Sequence, residues 1–164
     1  VYKKSDDAPE AVMKLSSIMR YMLFDATTDH VLLEKEIEYL KSFIELEKLR
    51  VRHRDFVELE ITGNTDEHTI APMLLIPFVE NAFKHGSRQV AGAGIRVRLE
   101  VTPTEIRFTV VNHIRKSESV VKDKVGGIGL QNIRRRLNLL YPGKHTLNIR
   151  TDEEYYTVDL TIST

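Results

Sequence analysis

Between Pro72 and Gly86 the chain reads Pro-Met-Leu-Leu-Ile-Pro-Phe-Val-Glu-Asn-Ala-Phe-Lys-His-Gly. A carboxylate, a carboxamide, an ammonium and an imidazole fall at Glu80, Asn81, Lys84 and His85. At helical spacing these four share one face, while Leu75, Phe78, Val79, Ala82 and Phe83 share the opposite one. One side is built to pack. The other offers oxygens that suit a hydrated Mg²⁺ and cations that suit a phosphate. The same side chains would also make an ordinary solvated face, with Glu80 and Lys84 as an i,i+4 pair worth roughly 0.2–0.5 kcal/mol. A second stretch weighs against that plainer reading. Gly126-Gly127-Ile128-Gly129-Leu130 opens a predicted helix, where backbone N–H groups can meet phosphate without an obstructing Cβ. Lys124, just before it, offers a further phosphate contact.

Several elements must position these groups. A helix is predicted from Ser5-Asp6-Asp7-Ala8-Pro9 to about Phe24, with Val12, Leu15, Ile18, Met19, Met22 and Leu23 at helical spacing. A second carries Leu33, Ile37, Leu40 and Ile44. Their wide apolar stripes cannot cover each other fully, which predicts a bundle completed by a further helix or a second subunit. Phe56 to Ile61 alternates as a half-buried strand ending at Gly63-Asn64. The central helix is expected to begin near Pro72 and to kink or restart at Pro77. Ile95 to Val101 and Ile106 to Val110 form a hairpin, and His113 to Val125 reads as a loop. A helix over Leu130 to Leu140 and a closing hairpin through Leu147, Ile149, Tyr156, Val158, Leu160 and Ile162 complete the chain. The fold class is α+β, with a mixed or antiparallel sheet covered by helices on one face.

Val79-Glu80-Asn81-Ala82-Phe83-Lys84-His85-Gly86 resembles the N box of the GHKL superfamily of ATP-binding domains, and Gly126-Gly127-Ile128-Gly129-Leu130-Gln131-Asn132-Ile133-Arg134 resembles its second glycine box. The wording is closest to LytS-type sensor histidine kinases, and the likeness covers nearly the whole chain. It implies a Bergerat-type two-layer α/β sandwich at residues 55–164, preceded by part of a dimerisation region, a helical hairpin, at residues 1–54. It implies ATP and Mg²⁺ as cofactors, with Asn81 the metal ligand and Glu80 the catalytic group that polarises the incoming acceptor or orients a metal-bound water. Lys84, His85, Lys124, Gly126, Gly127, Gly129, Leu130, Asn132 and Arg134 would line the nucleotide. The family usually places Asp-x-Gly-x-Gly between the boxes, its carboxylate bonding the adenine amino group. By strand register Asn112 stands at that aspartate, and His113 and Ile114 follow without the glycines. An amide oxygen can still accept that hydrogen bond, but without the charge.

The family's phosphoacceptor histidine lies in a Pro-His-Phe-Leu-Phe-Asn context, and none of His30, His53, His68, His85, His113 or His145 has such neighbours. The resemblance therefore implies the catalytic part of a two-component kinase that binds nucleotide without phosphorylating itself. Its partners would be a response regulator receiver domain and a second copy paired through the N-terminal helices. The whole protein would be a membrane-anchored sensor with this part in the cytoplasm. The alternative is a degenerate module that pairs subunits and has lost catalysis.

Composition bounds the rest. Across 164 residues, 24 Lys and Arg balance 24 Asp and Glu, so no global field points to nucleic acid or a membrane surface. Basic clusters at Arg50 to Arg54 and Arg134 to Arg136 lack an aromatic platform. Without cysteine there is no disulfide framework or thiolate zinc site, and the histidines lack zinc spacing.

Overall fold

The computed structural model describes residues 8–51, 54–86, 92–114 and 128–164. In chain order the elements are α1 (Ala8–Leu23), β1 (Val31–Leu32), α2 (Leu33–Lys48), β2 (Val57–Thr62), β3 (Thr69–Ile70), α3 (Ile76–His85), β4 (Ile95–Val101), β5 (Glu105–His113), α4 (Ile128–Leu140), β6 (His145–Thr151) and β7 (Tyr155–Ser163). The chain divides into two compact units, Val1–Arg54 with Asp66–Met73, and Asp55–Thr65 with Leu74–Thr164.

In the first unit α2 turns Leu33, Ile37, Leu40 and Ile44 inward at spacings of four, three and four, and all are buried. α1 contributes Ile18 and Tyr21 to that core, while Val12, Met13, Leu15, Met19, Met22 and Leu23 stay exposed. Its apolar stripe is thus only partly used within the unit. β1 pairs antiparallel with β3, Val31 opposite Ile70. The Leu33 N–H donates to the His68 carbonyl at 2.8 Å, so residues 66–73 are tied to the start of α2.

The second unit is built on a sheet of order β2-β4-β5-β7-β6, with β2 and β4 parallel and the other pairs antiparallel. The register stacks apolar rows on one face: Val97, Val110 and Val158; Leu99, Phe108 and Leu160; Val101, Ile106 and Ile162. Every one is buried. α3 lies against β4 and β5 through Phe78, Val79, Ala82 and Phe83, and α4 turns Leu130, Ile133 and Leu137 inward beside β6. The opposite face is a ladder of exposed ion pairs, Arg96 with Glu58 at 3.4 Å and Arg98 with Glu60 at 2.8 Å, between strand partners. One face packs because period-two alternation gathers most of the apolar side chains there, with Val111 beside Arg96 on the other face.

One expectation is corrected: α3 starts at Ile76, not near Pro72, so that Pro77 marks the start of the helix, as the restart alternative had it, and not a kink inside it. Met73 has φ of 55°, a left-handed conformation that no right-handed helix contains. Pro77 therefore lies in the first turn of α3, where its missing donor costs nothing.

Candidate functional site

The site is assembled at one end of the sheet in the second unit. α3 ends at His85, and the Gly86 N–H closes it on the Ala82 carbonyl at 2.7 Å. A Cβ added to Gly86 would lie 3.8 Å from the Asn112 Cβ, so the C-terminus of α3 sits beside the last turn-facing residues of β5. On the polar side of α3, Glu80, Lys84 and His85 are exposed and Asn81 is half-buried. The spacing that groups these four in the sequence is the geometry the helix gives them.

Asn112 continues the inward face of β5 after Ile106, Phe108 and Val110, in a row with Ile95 of β4 and Tyr156 of β7. Where the other rows are wholly apolar, this one holds a carboxamide only 2% exposed. Among the described residues, the buried side-chain atoms without a hydrogen-bond partner are Asn112 Nδ2 and His113 Nδ1. Buried polar groups are nearly always paired in folded proteins, and leaving one unpaired costs about 1–3 kcal/mol. An unpaired amide at the mouth of a sheet row is a group suited to a ligand that supplies the missing acceptor.

Arg134 of α4 reaches the same region. Burial pushes the Tyr156 phenol above its ordinary range, and the nearby Arg134 guanidinium opposes that shift, so the cation lies within electrostatic reach of the ring. Arg134 is itself exposed, as is Asn132, while Leu130 is buried against the sheet. Gly129 falls inside the first turn of α4, and a Cβ there would meet nothing within 4 Å, so packing among the described residues does not require glycine. Lys124, Gly126 and Gly127 lie outside the described residues.

The fold thus sets the C-terminus of α3 beside Asn112, and Asn112 beside its strand partner Tyr156, with Arg134 within electrostatic reach of the Tyr156 ring. Tyr156 had been legible only as part of a strand pattern; its equal parity with Val158, Leu160 and Ile162 was the signal that it faces inward. The arrangement combines exposed cations, a half-buried amide oxygen on a helix and a buried amide, groups that suit phosphate, a hydrated cation and the polar edge of a base respectively. No group of three or more His, Cys, Asp and Glu suited to a metal occurs among the described residues. Among the described residues no helix is long and apolar enough to cross a membrane.

Comparison with known proteins gives concordant likenesses. The family described as Histidine kinase matches residues 1–55. The sensor protein LytS of Staphylococcus saprophyticus is 27% identical over 96% of this chain and 29% of its own length. The sensor histidine kinase BtsS of Escherichia coli K12 is 23% identical over 96% of this chain and 28% of its own. The chain therefore spans less than a third of these relatives. Among solved structures, the catalytic domain of histidine kinase ThkA superposes with a TM-score of 0.52 at 18% identity, over 82% of this chain and 93% of that one. The histidine kinase domain of a blue-light activated kinase from Erythrobacter litoralis gives 0.54 at 16% identity, over 97% and 75%. The α+β fold expected from the sequence, a mixed sheet with helices on one face, is the fold of histidine kinase catalytic domains.

Proposed function

We propose that the chain is the catalytic and ATP-binding part of a LytS-type sensor histidine kinase. It would move the γ-phosphoryl group of ATP to a histidine carried on another segment of the protein, and thence to a response regulator. The observation that carries this reading is the placement of buried, unpartnered Asn112 beside the end of the α3 helix that bears Glu80, Asn81, Lys84 and His85. The relatedness of the sequence to sensor histidine kinases over 96% of its length supports it.

In this account residues 55–164 bind nucleotide and residues 1–54 belong to the dimerisation region. ATP supplies the transferable phosphoryl group, and Mg²⁺ neutralises charge as it moves. Asn81 offers its side-chain oxygen to the metal, and Lys84, His85, Lys124 and Arg134 offer cations to phosphate oxygens. Backbone N–H groups about Gly126, Gly127, Gly129 and Leu130 line the phosphates, with Asn132 beside them. Asn112 reads the polar edge of adenine, its amide oxygen accepting from the amino group and its unpartnered Nδ2 donating to a neighbouring ring nitrogen. Glu80 accepts a hydrogen bond from the incoming imidazole and raises its nucleophilicity. The exposed stripe of α1, Val12, Met13, Leu15, Met19, Met22 and Leu23, is the surface on which a second copy would pack. The protein as a whole would be a membrane-anchored sensor with this part in the cytoplasm.

The test is transfer of label from γ-labelled ATP. The chain alone should form no acid-labile phosphohistidine, and a longer version carrying the acceptor helix should form it in a Glu80-dependent manner. Acid-labile label on the short chain, or full labelling with Glu80→Gln, would overturn the assignment. A degenerate module that only pairs subunits would bind no nucleotide.

A further inference from the structure

We infer that the base-reading position accepts 6-oxopurine nucleotides as well as adenine nucleotides, because its hydrogen-bonding group is the carboxamide of Asn112; the inference rests on the nucleotide reading above and widens the substrate class of that same site. Asn112 is 2% exposed, and its Nδ2 has no hydrogen-bond partner among the described residues. A ligand that satisfies this group must present an acceptor to the amide N–H, and not only a donor to its oxygen. A carboxylate in the same place would make a different demand. Ionised, it only accepts, and so selects a base edge that donates.

The Watson–Crick edge of adenine offers a donor, the 6-amino group, beside an acceptor, the ring N1. A 6-oxopurine such as hypoxanthine offers the same two functions in the opposite order, an acceptor at the 6-oxygen beside a donor at N1–H. A half-turn of the last asparagine torsion exchanges the amide oxygen and nitrogen, and that torsion is broad and roughly two-fold. The carboxamide therefore matches either edge with two hydrogen bonds, and only its surroundings could choose between them. The row across the sheet is Ile95, Asn112, Tyr156 and Thr151. None of these is charged, and a phenol or a threonine hydroxyl can donate or accept. Burial, opposed by Arg134, holds the Tyr156 phenol above its ordinary range, so it stays protonated and keeps both roles. On the α3 side the neighbour is Gly86, where a Cβ would lie 3.8 Å from the Asn112 Cβ, and glycine brings no side-chain donor or acceptor. The amide is buried enough to require a paired edge, and none of these neighbours fixes which edge that is.

Calorimetric titration of the whole chain with the β,γ-imido triphosphates of adenosine, inosine and 1-methylinosine tests this. The adenosine and inosine analogues should bind within about tenfold of each other, and the 1-methyl analogue, whose methyl group blocks the edge, about tenfold or more weaker than inosine. Asn112→Asp should favour the adenosine over the inosine analogue by about tenfold or more beyond the wild-type ratio, because a carboxylate has no donor for the 6-oxygen. Should Asn112→Asp not fold, the three wild-type affinities decide the matter alone. Inosine binding weaker than adenosine binding by more than about tenfold in the wild type would overturn the inference and leave the nucleotide reading standing. Equal binding of all three analogues, or an unchanged ratio in Asn112→Asp, would do the same. Binding of none of the three would defeat the nucleotide reading itself, and this inference with it.

Discussion

Asn112 and Tyr156 are strand partners on β5 and β7, side by side on the inward face of the sheet, and they interrupt an otherwise apolar set of rows with an amide and a phenol. The amide has an unpartnered Nδ2. A core that leaves such a group unpaired gives up stability, and a ligand that pairs it restores the loss. Asn112→Leu is therefore expected to raise the unfolding free energy of the unliganded protein by about 1 kcal/mol while abolishing nucleotide binding. Denaturant titration beside calorimetry checks both; a destabilised variant would mean the amide serves the fold.

Gly129 poses a related trade. In the first turn of α4, with open space where a Cβ would stand, alanine should improve helix propensity by about 0.5–1 kcal/mol. If its role is close backbone approach to phosphate, Gly129→Ala stabilises the chain and weakens nucleotide affinity. Unchanged affinity would remove Gly129 from the site.

Two other glycines separate steric from conformational demand. Gly63 has φ of 93°, and a Cβ there would lie 1.8 Å from the Val101 carbonyl oxygen. Gly143 has φ of 69° and nothing within 4 Å. Gly143→Ala should cost about 1 kcal/mol, the left-handed penalty alone, and Gly63→Ala clearly more, since backbone must move. Equal thermal midpoints for the two variants would contradict this.

Asp152 closes the β6–β7 hairpin by accepting the backbone N–H groups of Glu154 at 2.8 Å and Tyr155 at 2.7 Å, and these bonds hold its carboxyl below the ordinary 3.8. A depressed folded value means the carboxylate contributes stability above the unfolded value, lost as pH falls through the folded one. Asp152→Ala should therefore be less stable than wild type at neutral pH, with the gap closing only below about pH 3.8. Titration of the Asp152 carboxyl carbon by NMR checks the direction.

Much of this architecture was legible because it follows from short-range periodicity. The strand pairs from Ile95 to Val110 and from Leu147 to Ile162 announce themselves by alternation, and α2 by the spacing of Leu33, Ile37, Leu40 and Ile44. What was not legible depends on distant partners. Met73 takes a left-handed turn just before α3, and its N–H donates to Glu36 of α2, a partner far away in sequence. The two-residue strands β1 and β3 are too short to carry a pattern and exist through pairing alone. For the site, the polar face of α3 was readable from spacing, and Asn112 from strand register. The proximity of Arg134 to Tyr156 was not, because it joins a helix to a strand through the fold.

The central claim is that this chain holds Mg²⁺ and ATP through α3 and Asn112. Calorimetric titration with a non-hydrolysable ATP analogue, with and without Mg²⁺, beside Asn81→Ala, tests it most directly. The account predicts saturable binding that strengthens with Mg²⁺ and disappears in the variant. Absence of binding at millimolar analogue, or binding indifferent to both Mg²⁺ and Asn81, would contradict it.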